Sequence, residues 1–93
     1  MKAVWKGTVI AESENVLKLE GFYYFPIESI KKQYLKESGY TTYCPWKGTA
    51  SFYDLQVHEE INKDALWYYP TPKSRASFIK NFIGIWKGIV TLE

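Results

Sequence analysis

The sequence predicts a mainly β fold, and three observations carry that reading. Short runs rich in β-branched and aromatic residues recur along the chain. Gly, Pro, Asn or Asp punctuate them at close intervals. The longest stretch with a helical period covers only about two turns. With 93 residues, the chain is one domain near the lower end of the usual size range, so its core must be used well.

Each element has its own local warrant. Residues 3–11 read as a hairpin, because two β-rich runs flank Lys6-Gly7 and the glycine accepts the positive φ of a tight turn. A turn at Ser13-Glu14-Asn15 precedes a short strand over 15–21. Phe22-Tyr23-Tyr24-Phe25 is extended, since Phe25 precedes Pro26. Pro26 then opens a short amphipathic helix, with Ile27, Ile30 and Tyr34 on one side, Lys31, Lys32 and Lys36 between them, and an end near Ser38-Gly39. Residues 40–44 form a strand that Pro45 stops, and 49–57 alternate as a strand packed on one face. Glu59-Glu60 is a turn and 65–69 a further strand. Pro70-Thr71-Pro72 breaks that strand, and a second short helix runs from Pro72 to about Ile79. Residues 82–86 and 89–92 make a closing hairpin about Lys87-Gly88. Trp-Lys-Gly thus occurs three times, at Trp5, Trp46 and Trp86, and residues 4–36 and 45–80 are candidates for an internal pseudo-repeat.

Composition narrows the function classes. The net charge of +2 and pI of about 8.6 fall short of a nucleic-acid-binding footprint. The basic residues Lys73, Arg75, Lys80 and Lys87 gather late in the chain, and the acids Asp54, Glu59, Glu60 and Asp64 in its middle. A single cysteine, Cys44, precludes an intramolecular disulfide and suits a reducing compartment. No apolar run resembles a leader or a membrane helix, so a cytoplasmic protein without membrane association is expected. The chain carries 8 Tyr, 5 Phe and 4 Trp. That exceeds what so small a core hides, so some rings should line a concave surface or an interface.

The run Thr42-Tyr43-Cys44-Pro45-Trp46-Lys47-Gly48-Thr49-Ala50 is the most particular feature of the sequence. Together with Asp64-Ala65-Leu66-Trp67-Tyr68-Tyr69-Pro70, Pro72, Gly21 and Tyr24-Phe25-Pro26, it resembles domain-of-unknown-function family number 427 over essentially the whole chain. His58-Glu59-Glu60 departs from the glycine turn that the family tends to place there. The resemblance implies a compact, tent-like arrangement of two antiparallel sheets with one or two short helices, as in cereblon-type and methionine-sulfoxide-reductase-B-type domains. Those relatives often hold zinc with two pairs of cysteines. One cysteine and one histidine cannot build that site, so no metal and no cofactor are expected. A nucleotidyltransferase-like label attached to the family finds no Asp-x-Asp pair and no glycine-rich loop here.

The expected function is binding of a small molecule with an anionic or carbonyl group, in an aromatic pocket around residues 44–48. Trp46, Tyr53 and Trp67 would form apolar walls, Tyr24 and Tyr69 would add polar-tipped rings, and Lys47 would fix the ligand's oxygen. Glu28 and Asp64 are the acids considered as partners of Lys47. One alternative is an enzyme using Cys44 or Lys47 as the reactive group, which requires a thiolate or a neutral amine. The other is an interaction module that presents exposed aromatics to a protein or to single-stranded nucleic acid. Nucleic acid is the less favoured partner, and the chain is expected to be a monomer or homodimer. Each candidate also has a structural role: Cys44 as a small buried hydrophobe, Lys47 as a turn lysine, the aromatics as core, Glu28 as a charge in a first helical turn.

Overall fold

In the computed structural model, which describes residues 1–93, nine strands form two antiparallel sheets. The strands are β1 (Lys2–Trp5), β2 (Thr8–Glu12), β3 (Leu17–Leu19), β4 (Phe22–Pro26), β5 (Leu35–Cys44), β6 (Gly48–Val57), β7 (Glu60–Tyr68), β8 (Phe82–Ile85) and β9 (Val90–Leu92). The small sheet has the order β2-β1-β9 and the large one β3-β4-β8-β7-β6-β5. Short 3-10 segments occur at Ile27–Ser29, Lys32–Tyr34 and Ser74–Ile79. No helix is long and apolar enough to cross a membrane.

Strand alternation divides the large sheet into two covered faces. One face packs with the small sheet: Ala3, Ile10 and Ala11 join Phe25, Leu55, Leu66, Ile83 and Ile85 in a single cluster. On the other face Tyr24, Ala50, Trp67 and Tyr69 pack with Ala76 and Ile79 of the last 3-10 segment. Neighbouring residues therefore serve different cores, Tyr24 against Phe25 and Trp67 against Leu66. Of the aromatic residues, only Tyr24, Phe25, Trp67 and Tyr69 are buried, whereas Tyr40, Tyr43, Phe78 and Trp86 are half or more exposed.

Three expectations of local structure are corrected. The stretch after Pro26 is not one amphipathic helix. Ile30 is extended and bridges Ala11 of β2, which leaves a 3-10 turn on either side of it. Leu35 is already paired with Leu55, so the segment ascribed to the end of that helix belongs to a ten-residue β5. The closing hairpin is not a hairpin either. β8 lies between β4 and β7 in the large sheet, while β9 crosses to the small sheet and pairs with β1. The β6–β7 turn falls at His58-Glu59, since Val57 faces Glu60. The three Trp-Lys-Gly triplets occupy different settings: the β1–β2 turn, the β5–β6 turn and the crossover from β8 to β9.

Candidate functional site

The site begins with the turn between β5 and β6. Cys44 and Gly48 are the closing pair, and Pro45, Trp46 and Lys47 form the loop. Gly48 is buried with φ +110, and a Cβ there would stand 3.4 Å from the carbonyl oxygen of Thr71, so glycine lets the two backbones approach. The 71–73 segment clamps the turn. The Lys73 N–H donates to the Lys47 carbonyl at 3.0 Å. The Lys73 ammonium donates to the Pro45 carbonyl at 2.8 Å and the Tyr43 hydroxyl at 2.6 Å.

Held in this way, Lys47 points inward and is only 7% exposed. Its ammonium donates to the carboxylate of Glu20, which arrives from the two-residue turn between β3 and β4. It lies 5.6 Å from the ring of Trp46 and 5.4 Å from that of Tyr69, within cation–π range. Burial pushes the Lys47 pKa down, but the Glu20 carboxylate and the oxygens of Tyr24 and Tyr69 outweigh it. The group ends above the ordinary lysine range. Glu20 is correspondingly lowered, chiefly by its hydrogen bond from Lys47. Tyr69 is raised, first by burial. This arrangement favours the charged ammonium of Lys47 over the neutral amine that nucleophilic catalysis requires.

Aromatic side chains extend from this cation. The Trp67 indole N–H donates to the Tyr24 hydroxyl at 3.0 Å. Phe22 meets Trp67 edge-on at 5.0 Å, Phe52 lies 5.9 Å from Trp67, and Tyr40 lies 5.0 Å from Phe52. Lys47, Tyr69, Tyr24, Trp67, Phe22 and Phe52 enclose an open groove of about 290 Å³, with Glu20 at its edge. Lys87 places a second cation 5.1 Å from the Phe22 ring. No group of three or more His, Cys, Asp or Glu side chains gathers anywhere in the chain.

Among the residues singled out from sequence, Lys47, Tyr24, Trp67 and Tyr69 converge on the groove, and Trp46 stacks beside Lys47. Tyr53 does not. It faces the opposite side of the large sheet, stacked on Tyr68 at 5.4 Å. Strand parity gives the reason: Ala50 and Phe52 share the Lys47 face and Tyr53 the other, so Phe52 is the β6 side chain that reaches the groove. Glu28 sits in the 27–29 turn beside Lys32, Lys80 and Asn81, away from Lys47. Asp64 belongs to an irregularity in β7, where its N–H is bound by Asp54. The carboxylate partner of Lys47 is Glu20, and no local sequence signal joins residues on two separate hairpins. Cys44 ends β5 half-exposed. The one histidine, His58, follows the far end of the ten-residue β6, roughly 30 Å from the Cys44 turn, so no Cys–His pair forms.

The family model described as "Domain of unknown function (DUF427)" matches residues 1–93. The chain belongs to this family. No curated protein matches the DUF427 chain.

Proposed function

We propose that the groove binds a small planar molecule bearing a carboxylate or carbonyl oxygen. The observation that carries this reading is a buried lysine, kept charged among phenol rings, at one end of an aromatic-walled groove open to solvent. Ligand sites commonly pair apolar walls with a few oriented polar groups. Glu20 occupies the ammonium as the carboxylate of a ligand would. An incoming anion therefore competes with an exposed side chain on a two-residue turn. Lys87, over the Phe22 ring, adds positive charge near the groove wall. A lone half-exposed thiol accords with a reducing, cytoplasmic setting.

The test is a thermal-shift screen of aromatic and heteroaromatic carboxylates on the wild type, Lys47→Ala and Glu20→Gln. A ligand at 100 times its dissociation constant stabilises the fold by about 2.7 kcal/mol. The expected result is a shift in the wild type that is absent in Lys47→Ala. In Glu20→Gln the same ligand binds several-fold more tightly, because its competitor is gone. A ligand that shifts the wild type and Lys47→Ala equally, or a library that shifts neither, overturns the proposal.

A second reading has its own observation. The ring series Phe22–Trp67–Phe52–Tyr40 crosses the large sheet and ends at the exposed Tyr40 on the edge strand β5, which supports an interaction module. Binding of an oligothymidylate that weakens steeply with salt would favour this reading over a small ligand.

A further inference from the structure

The opposite face of the large sheet holds a second recess, built where β5 fails to follow β6. Glu37 pairs with Tyr53 and Thr41 with Ser51, so β5 carries extra residues around Gly39, whose φ is +80. The strand arches there and opens a notch of about 220 Å³ at the sheet's edge, lined by Glu37, Thr41 and Ser51 together with the rings of Tyr40 and Phe52. Beneath it, Ile27, Ile30, Leu35 and Ile83 enclose an apolar chamber of about 330 Å³ with Lys32 at its border. Tyr53 and Tyr68 line both spaces as a parallel pair tilted by 20°. Burial, the Tyr68 hydroxyl and then Glu37 all raise the Tyr53 pKa, so its phenol keeps its proton and is available as a donor.

The chamber's walls are branched aliphatic side chains, its one charge is the ammonium of Lys32, and its volume falls in the range of small-ligand sites. Lys32 makes no salt bridge and is exposed, so its charge is free to meet a ligand. Glu37 lies on the polar side, beyond the tyrosine pair, where it discourages an anion from entering by the notch.

We propose that this chamber is a second binding site, separate from the Lys47 groove, for a medium-chain aliphatic carboxylate. The alkyl chain lies along Ile27, Ile30, Leu35 and Ile83, and the carboxylate meets Lys32. Burying each methylene tightens binding roughly fourfold, so the chain supplies most of the affinity. Lys32 chooses the head group.

Two-dimensional amide NMR of the full chain, titrated with decanoate, tests this directly. Saturable shifts are expected at residues 27–35, 53 and 68, with undisturbed binding in Lys47→Ala. Ile27→Trp fills the chamber from a partly exposed position and should abolish the shifts while leaving the rest of the spectrum native. Lys32→Gln should weaken decanoate about three- to fivefold, as an exposed ion pair allows, and leave decanol unchanged. Absence of shifts up to the solubility limit overturns the site. So do shifts confined to the Lys47 groove and lost in Lys47→Ala, or shifts that survive Ile27→Trp. Equal weakening of decanol and decanoate by Lys32→Gln overturns the head-group assignment.

Discussion

Gly84 lies in β8 between Tyr24 of β4 and Trp67 of β7, and the Trp67 indole crosses directly over it. A Cβ at that point would stand 2.5 Å from the ring, closer than side-chain atoms approach. The missing side chain is what lets Trp67 lie flat enough to reach the Tyr24 hydroxyl and wall the groove. Gly84→Ala should therefore destabilise the fold by about 1–3 kcal/mol through overpacking. Its melting temperature should fall by roughly 4–8 °C per kcal/mol, with a changed tryptophan emission. An unaltered melt and spectrum would mean that the placement of the indole does not depend on the missing side chain. At this scale the sequence was partly legible. Lys47, Tyr24, Trp67 and Tyr69 stood out by residue type and context. Glu20 and Phe22 did not, because their roles depend on a hairpin folding across from the Lys47 turn. Phe52 was within reach, since its parity with Ala50 differs from that of Tyr53.

At the scale of elements, the pairing of β6 with β7 turns on a buried acid. Tyr53 faces Leu66 but Leu55 faces Asn62, so β7 accommodates extra residues opposite Asp54. Asp64 there has φ +54, an uncommon conformation for a residue with a side chain. The Asp54 carboxylate, 8% exposed, accepts the Asp64 N–H at 2.8 Å and the Lys63 ammonium at 3.0 Å. Burial raises its pKa, but these two donors outweigh burial and leave it below the ordinary aspartate range. A depressed carboxylate contributes stability above its unfolded pKa, near 3.9, and loses it as pH falls through the folded value. Asp54→Asn should cost about 1–3 kcal/mol at neutral pH. That difference should shrink in denaturant melts taken below about pH 4; a gap independent of pH would assign Asp54 a purely steric role. The sequence read β1, β2, β4 and β6 well: the Lys6-Gly7 turn marks the first two, Pro26 the end of β4, and a run of β-formers with paired small and large residues marks β6. It misread β5 as partly helical. An edge strand exposed along most of its length carries Lys36, Glu37 and Ser38 in place of alternation, and the apolar spacing of Ile27, Ile30 and Tyr34 came from two tight turns.

For the whole molecule, the mainly β fold in two antiparallel sheets was legible, but the assignment of strands to sheets was not. Residues 82–92 have the composition of a hairpin on either side of Lys87-Gly88. What separates β8 from β9 is long-range: the vacancy between β4 and β7 takes one, and the free edge of β1 takes the other. That second pairing joins Ala3 to Thr91, with the intervening chain forming the entire large sheet. As a nascent polypeptide leaves the ribosome at about 5–20 residues per second, β1 and β2 emerge first. Their third strand follows only after nearly all the rest has been made. Until then the edge of β1 that β9 will pair with offers itself to any strand within reach. Contacts so distant along the chain also slow folding in isolation. Stopped-flow refolding should accordingly place β1–β9 docking in the slowest phase, read as late protection of the Ala3 and Thr91 amides in pulse-labelled hydrogen exchange; early protection there would refute this order. The seam between β1 and β9 makes the period of synthesis itself a hazard for this fold, because the small sheet keeps an open edge until residues 90–92 are in place.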